Sequence, residues 1–589
     1  MTIKKPILLI LIILLLGFIT NFGLNDTRGG LDNKKSFFVN ISANSGTVNY
    51  LIITSDNFES ILEPLAIWKT QKGIISKIET TTNIEQQYSG GDLPEKIKNC
   101  IIDYYNHNNT QWVLLAGDHN HVPSKYILVD DDFSYDGDVV SCDSYYGDIN
   151  NDWNLDDFDY NAEVYIGRLT ANNNAEMRNL VQRILHYEKE PPIGPWMTQA
   201  LFAGAILQFD QDWDGDNSLD YGECDTNHLN HYIDSTIIPN NWSSTFLAQT
   251  LGVKGSDYYV DKELTYLHFK NAINQGCSIS NVFAHGRSTR ISIGKWVKDY
   301  DNDGLFDFTA DPFYSGGTAI DEMSWDILFE TSYSDLIQED KLGLYFFGSC
   351  SVGTFDDEVD CVAEYFLKNV GIGCVAGSHV TWSEDQWYER EHGGWFVDGL
   401  AYRFLEQLFE YNQPGKALAF AKADYAADRF VYPAPIIYTE WSIKTLKQFN
   451  LLGDPEVPIW LSIPHQLNVS IDQPFNNNTN TMTLKIIANQ DPVQGATITY
   501  TQENNLLWKG ETNENGTIDV PFSNIEVGDN VFTASKNGYL PFQANLLEEN
   551  DNLSSIAGYG LFGISMIIIS VLGITSIYYK RSCLNKNNN

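Results

Sequence analysis

SNVFAHG (residues 280–286) and GLYFFGSC (residues 343–350) decide the fold. Each is a short apolar run that ends abruptly in small or polar residues, the pattern of a strand buried on both faces of a parallel sheet. GCVAGS, from Gly373, has the same form. Upstream, strand-like and helix-like stretches alternate: YLIIT from Tyr50, an amphipathic stretch from Phe58 to Gln71, GIISKIE from Gly73, and a helical stretch from Leu93 to Tyr105. WVLLAGD from Trp112, EVYIGRLTA from Glu163 and a helical stretch from Ala175 to Glu188 continue the alternation. This order predicts an α/β fold with a doubly wound sheet, whose sites lie beyond the carboxyl ends of the strands. His285 and Cys350 stand at two such ends.

At 589 residues the chain exceeds a single core. Residues 46–190 read as an N-terminal α/β subdomain and 191–462 as a second one that carries His285 and Cys350. After VPIWLS the periodicity changes. Residues 463–548 alternate apolar and polar with turn signals such as Asn513-Glu514-Asn515-Gly516, which predicts an immunoglobulin-like β-sandwich. A polar linker, 549–555, leads to residues 556–579, which are apolar, uncharged and long enough to cross a bilayer. Lys580 and Arg581 follow, so the tail 580–589 is expected on the cytoplasmic side. At the other end Lys4 and Lys5 precede the apolar run Pro6 to Ile19. Residues 1–24 therefore read as a signal peptide or N-terminal anchor, and 25–45 as a polar tether. The body is expected outside the cell, held to the membrane by one helix.

Acidic residues number 77 against 37 basic, a net charge of −40, which excludes nucleic acid as a partner. The eight cysteines show no C-x-x-C spacing, so neither a zinc site nor a dense disulfide framework is expected. Three Asp-rich stretches point instead to calcium. Asp212, Asp214, Asp216, Ser218, Asp220 and Glu223 fall at positions 1, 3, 5, 7, 9 and 12 of a calcium loop, with Asn217 where glycine is usual. Asp299, Asp301, Asp303, Leu305 and Asp307 make a second, although Ala310 stands at its twelfth position. A weaker third spans Asp148, Asn150, Asp152, Asn154, Asp156 and Asp159. Carboxylates so close repel unless a cation offsets them; the plainer alternative is a solvated acidic loop.

A thiol and an imidazole at matched strand ends suit nucleophilic catalysis, in which His285 moves protons and Cys350 attacks. Gly286 permits close approach of a substrate, and its N–H with that of Cys350 could stabilise an oxyanion. His392-Gly393 is a rival His-Gly pair, but its lead-in QWYERE is polar and reads as the approach to a helix. His379, after GCVAGS, reads as structural.

Taken in order, YLIIT, WKTQKG from Trp68, WVLLAGD, VYIGRLTA, HYEKE from His186, His285-Gly286, SCSVGTF from Ser349, DCVAEYFLKN from Asp360, GCVAGS and NLLGDP from Asn450 resemble the gingipains. Those cysteine peptidases belong to the clan that also holds caspases and legumains. The resemblance covers roughly residues 48–462. It implies a caspase-like fold, hydrolysis of protein or peptide substrates by Cys350 and His285, and a preference for arginine. Gly222-Glu223-Cys224-Asp225 matches the segment whose aspartate lines the specificity pocket, which makes Asp225 the candidate there, and the wall of that pocket falls at Trp382. Three points depart from the family pattern. Ser349 replaces an alanine, Leu207-Gln208 stand where an acid supports the histidine, and the stretch between His285 and Cys350 is long enough to hold a sizeable insertion. Without that acid, His285 would lean on a backbone carbonyl or another acid. Two other readings use the same residues: a calcium-stabilised adhesin or receptor on a decayed scaffold, and a transpeptidase.

Overall fold

The structure is a computed structural model that describes residues 46–129, 139–150, 153–154, 157–158, 160–211, 219, 222–300, 302, 304–306, 322–384, 394–429, 436–476, 481–521, 530–545 and 557–558. Its centre is a sheet of eleven described strands: β1 (Tyr50–Thr54), β2 (Ser76–Thr80), β3 (Trp112–Ala116), β4 (Tyr165–Leu169), β5 (Gln199–Gly204), β6 (Ser243–Ala248), β7 (Lys262–Glu263), β8 (Ile279–Phe283), β9 (Leu344–Phe347), β10 (Gly373–Gly377) and β11 (Phe449–Gly453). Their spatial order is β7-β6-β5-β8-β9-β10-β11-β4-β3-β1-β2. All neighbours run parallel except β10 and β11.

Alternate residues of one strand enter different cores, as strands buried on both faces require. Tyr50, Ile52, Trp112 and Leu114 pack with Leu62, Leu65, Met177, Leu180 and Ile184. Leu51, Ile53, Val113 and Leu115 pack with Ile84, Ile97 and Ile101 on the opposite face. Three of the helices supplying those residues fall where the sequence reads as helical, Glu59–Gln71 and Asn174–Lys189 on one face and Leu93–Asn108 on the other, where the short helix Thr81–Gln87 adds Ile84 without a periodic signal. Leu93–Asn108 begins where the Asp92 carboxylate accepts the Glu95 N–H at 2.8 Å and ends at Asn109, whose φ of 61° is left-handed.

The two α/β regions meet within this one sheet. β1 to β4 come from 46–190 and the other seven strands from 191–462. β11 joins the two sets, lying antiparallel to β10 and touching β4 through Leu452 and Arg168. Beyond 462 the described residues form two antiparallel sheets and a short parallel pair, His465–Gln466 with Tyr539–Leu540, around Leu467, Met482, Leu484, Ile498, Val520 and Phe532. This sandwich docks on the end of helix Glu59–Gln71. The Thr499 hydroxyl donates to the Gln71 carbonyl, Lys509 Nζ to the Gly73 carbonyl at 3.0 Å, and Gln543 Nε2 to Gln71 Oε1 at 2.9 Å.

Among the described residues no helix is long and apolar enough to cross a membrane. Most of the span expected over 556–579 lies outside the described residues, as do 1–24, 25–45 and the tail 580–589. The start of that span departs from the helical reading. Ala557–Gly558 pairs antiparallel with Ala544 and Asn545, because strand Phe542–Asn545 offers a free edge of backbone donors and acceptors.

One buried ion cluster joins four distant segments. Lys69 Nζ lies 2.8 Å from Glu188, 2.6 Å from Asp454 and 2.6 Å from Glu456, while Lys72 reaches Glu188 and Glu456, each at 2.6 Å. The Tyr50 hydroxyl donates to Asp454 at 2.7 Å and Trp68 Nε1 to Glu188 at 2.9 Å. Burial works against the Lys69 charge, but Asp454, Glu188 and Glu456 outweigh it and hold the lysine well above its ordinary pKa. Burial works against the Glu188 charge too, yet Lys69 and Lys72 bring that carboxyl down to about 2.

Removing Lys69 would leave three carboxylates facing one remaining lysine. Lys69→Met should therefore cost about 3–5 kcal/mol in chemical denaturation. Because the Glu188 pKa is depressed, its stabilisation is present above the ordinary 4.5 and is lost as pH falls toward 2. Glu188→Gln should flatten that part of the stability–pH curve; an unchanged curve would show that Glu188 does not carry it.

Candidate active site

β8 and β9 are adjacent and parallel, in register from Ile279 with Leu344 to Val282 with Phe347. Their tips therefore emerge side by side, and two bonds fasten them. The Gly348 N–H donates to the Val282 carbonyl at 2.8 Å, and the Ala284 N–H donates to Ser349 Oγ at 3.2 Å. Ser349, unusual against the family pattern, thus ties the residue before His285 to the residue before Cys350. Gly286 lies directly against the backbone of Cys350: a Cβ there would stand 2.3 Å from the Cys350 carbonyl oxygen and 2.9 Å from its nitrogen. No side chain fits. Ser351, next after Cys350, takes a left-handed φ of 54°, a strained turn held where its N–H donates to the His379 carbonyl at 2.9 Å. His379 accordingly serves the turn through its backbone.

Cys350 is partly exposed, and its sulfur sits 3.4 Å from the Thr381 carbonyl and 3.6 Å from Thr381 Oγ1. The Leu207 backbone carbonyl acts on the His285 imidazole and favours its protonated form, at the position where the sequence offers no acid. Its Nε2 is buried with no hydrogen-bond partner among the described residues. Burial pushes the imidazole down to about 4, and the Leu207 carbonyl opposes this only in part. Trp325 packs its ring edge-on against His285, with centroids 4.9 Å apart and planes at 77°.

The Asp225 strand, Cys224–Asp225, pairs with Ile206–Gln208, the segment that also supports His285. Asp225 Oδ1 accepts the Asn227 N–H at 3.0 Å, whereas Oδ2 is buried with no hydrogen-bond partner among the described residues. Burial raises this carboxyl above its usual range. Trp382 stacks on Trp441 with centroids 4.4 Å apart and planes at 13°. Trp441 comes from helix Ile436–Gln448, and no motif in the sequence singled it out.

Of the calcium candidates, Asp212, Asp214, Asp216, Ser218 and Asp220, together with Asp301, Asp303 and Asp307, lie outside the described residues, as do Asp152, Asp156 and Asp159 of the third loop and His392-Gly393. Glu223 pairs with Lys254 at 3.5 Å, and burial raises its carboxyl to about 7. Asp299 accepts the Asn302 and Gly304 N–H groups at 2.7 and 3.1 Å, so it shapes its own loop. Leu305 precedes Phe306, whose N–H donates to the Asp210 carbonyl at 2.8 Å and which bridges to Gln211. The two loops are thus fastened together at their ends. Among the described residues no group of three or more His, Cys, Asp or Glu side chains is placed to hold a metal.

The peptidase family C25 model matches residues 43–460. The chain belongs to family C25. Gingipain R2 of Porphyromonas gingivalis is 26% identical over 275 residues, 45% of this chain and 32% of that protein. Gingipain R1 of the same organism is 25% identical over 241 residues, 41% of this chain and 20% of that protein. The chain therefore aligns with a third or less of those relatives' length. Two solved structures share the fold at a TM-score of 0.58 and 14% identity. One is the complex of Porphyromonas gingivalis RgpB pro- and mature domains, covering 84% of this chain and 99% of that one. The other is the Arg specific cysteine proteinase gingipain R (RgpB), covering 85% and 98%.

Six other cysteines of the described residues are buried, and burial raises the thiols of Cys100, Cys277, Cys361 and Cys374 far from reactivity. Brief iodoacetamide treatment of the folded protein should therefore alkylate Cys350 ahead of those six, as read by peptide mapping. Equal labelling of Cys277 or Cys361 would contradict the geometry.

Proposed function

We propose that the chain is a membrane-anchored cysteine endopeptidase that faces the cell exterior, with Cys350 as nucleophile and His285 as its proton carrier. The observation that carries this reading is Gly286 pressed against the Cys350 backbone at the fastened tips of β8 and β9. The Leu207 carbonyl takes one ring N–H of His285, which leaves the lone pair on Nε2. Cys350 Sγ attacks the substrate carbonyl and its proton passes to Nε2; that proton then leaves on the amine, and water hydrolyses the acyl-enzyme. The N–H groups of Gly286 and Cys350 would hold the oxyanion. Arg287 and Arg290 close the two-residue hairpin that follows; in a tight hairpin the closing pair exchanges the hydrogen bonds, which would leave the Gly286 N–H outside the ladder.

Asp225 would choose a basic side chain, arginine above lysine. Among the described residues its buried Oδ2 has no hydrogen-bond partner, and a guanidinium supplies paired donors. The stacked Trp382 and Trp441 would form the flat wall beside it. Calcium would sit in the Asp212–Glu223 and Asp299–Asp307 loops, where the described Glu223 has several carboxylates near it and Lys254 to offset them. The C-terminal sandwich reads as immunoglobulin-like, and residues 556–579 as the anchor.

Cys350→Ala and His285→Ala should each lower kcat by several orders of magnitude while leaving thermal unfolding nearly unchanged. Because His285 must be neutral to accept the thiol proton and its pKa is depressed to about 4, the acid limb of kcat/KM should fall near pH 4 instead of 6.5. Asp225→Asn should abolish the preference for arginine. Full activity in Cys350→Ala would sink the assignment.

Calcium should raise the melting temperature and a chelator should lower it, with Glu223→Gln weakening the response. Calorimetry that shows no shift at millimolar calcium would remove the metal from the proposal.

A further inference from the structure

We infer that Trp325 forms a subsite for a bulky apolar side chain on the residue that follows the cleaved bond; this rests on the peptidase reading above. The insertion between His285 and Cys350 builds a three-stranded antiparallel sheet from His285–Arg287, Arg290–Trp296 and Met323–Glu330. The proposed catalytic histidine is therefore itself part of the first strand of that sheet. In register, His285 stands opposite Ser292, Ser292 opposite Ile327, and Gly294 opposite Trp325. Side chains alternate across a strand, so His285, Ser292, Trp325 and Ile327 share one face, on which Gly294 presents no side chain.

The indole lies beside Gly294, where a Cβ would stand 2.9 Å from Met323 Sδ and in ordinary contact, 3.5 Å, with Cη2 of Trp325, and the ring packs on to the imidazole. The opposite face is occupied: Ile291 and Ile293 are buried, and Lys295 pairs with Asp326 at 2.6 Å. On the His285 face, Trp325 remains 51% exposed and Ile327 36%. A continuous apolar strip thus begins at the proposed proton carrier and faces solvent.

The chemistry fixes its occupant. His285 must deliver its proton to the leaving nitrogen, so the imidazole stands on the leaving-group side of the bond. The side chain attached beyond that nitrogen is the nearest part of a substrate to Trp325. Its charged neighbour Asp326 is turned to the other face and paired, so the strip offers contact area and no countercharge.

The test uses the full chain and a peptide library varied at the residue after the cleaved bond. A second substrate is a peptide amide with the same acyl side, whose leaving group is ammonia. Wild type should favour leucine or phenylalanine over glycine at the varied position by on the order of tenfold in kcat/KM. Trp325→Ala should level that preference while hydrolysis of the amide stays within about twofold, and Trp325→Phe should keep most of it. An unchanged preference in Trp325→Ala overturns the proposal. So does an equal loss on every substrate including the amide, which would make the indole only a shield for His285. Absence of both cleavage and Cys350 labelling in wild type would instead overturn the peptidase reading on which this one stands.

Discussion

Lys69 cannot be buried alone. An unpaired ammonium in a protein interior costs several kcal/mol, so the fold must bring carboxylates to it from wherever the chain holds them. They come from Glu188 at the end of one helix and from Asp454 and Glu456 just beyond β11. β11 is also the strand through which the two α/β regions share a sheet. The same helix end presents the Gln71 carbonyl to the sandwich. Satisfying one ammonium therefore fixes how helix Glu59–Gln71, helix Asn174–Lys189, the joining strand and the C-terminal sandwich meet. The cluster holds three carboxylates against two lysines, and Tyr50, Trp68, Gln413 and the Glu456 N–H supply further hydrogen bonds.

This cluster explains why so much of the architecture was legible. WKTQKG, HYEKE and NLLGDP looked like separate landmarks along the chain, yet Lys69, Glu188 and Asp454 meet at one point. Their pattern records a structural demand and says nothing about chemistry. Buried strands such as YLIIT and WVLLAGD were legible for a simpler reason, since both of their faces need apolar residues. His285 and Cys350 became candidates by the same route: each follows such a strand, and register alone sets the two tips together. Gly286 follows from contact with the Cys350 carbonyl, which any Cβ would violate.

What escaped the sequence came from long-range geometry. Trp325 is far from His285 along the chain and reaches it only because the insertion folds back on itself. Trp441 stacks on Trp382 from a helix well downstream, with no local pattern to reveal it. Ser349 looked like a mild departure from alanine, but its hydroxyl accepts the Ala284 N–H between the two tips. An alanine there would leave that N–H without its partner, at about 1–3 kcal/mol if no water replaced it. A side chain that accepts from a distant backbone donor carries no periodicity, so composition and spacing cannot show it.

The support of His285 follows the same logic and shapes the chemistry proposed for it. A carboxylate behind an imidazole favours the protonated ring; a backbone carbonyl favours it less, because it carries only a dipole. With Leu207 in that place, burial prevails and the ring is held neutral down to about pH 4. A neutral imidazole is ready to accept a proton, but a low pKa makes it a reluctant base toward the thiol and a strong acid toward the leaving amine. The arrangement therefore eases collapse of the tetrahedral intermediate and leaves thiol activation to be helped elsewhere. The Thr381 hydroxyl, 3.6 Å from the sulfur, is the group placed to do it, against the Thr381 carbonyl at 3.4 Å, which favours the thiol. A hydroxyl donated to sulfur stabilises the thiolate more than the thiol, which offsets part of what the buried histidine gives up.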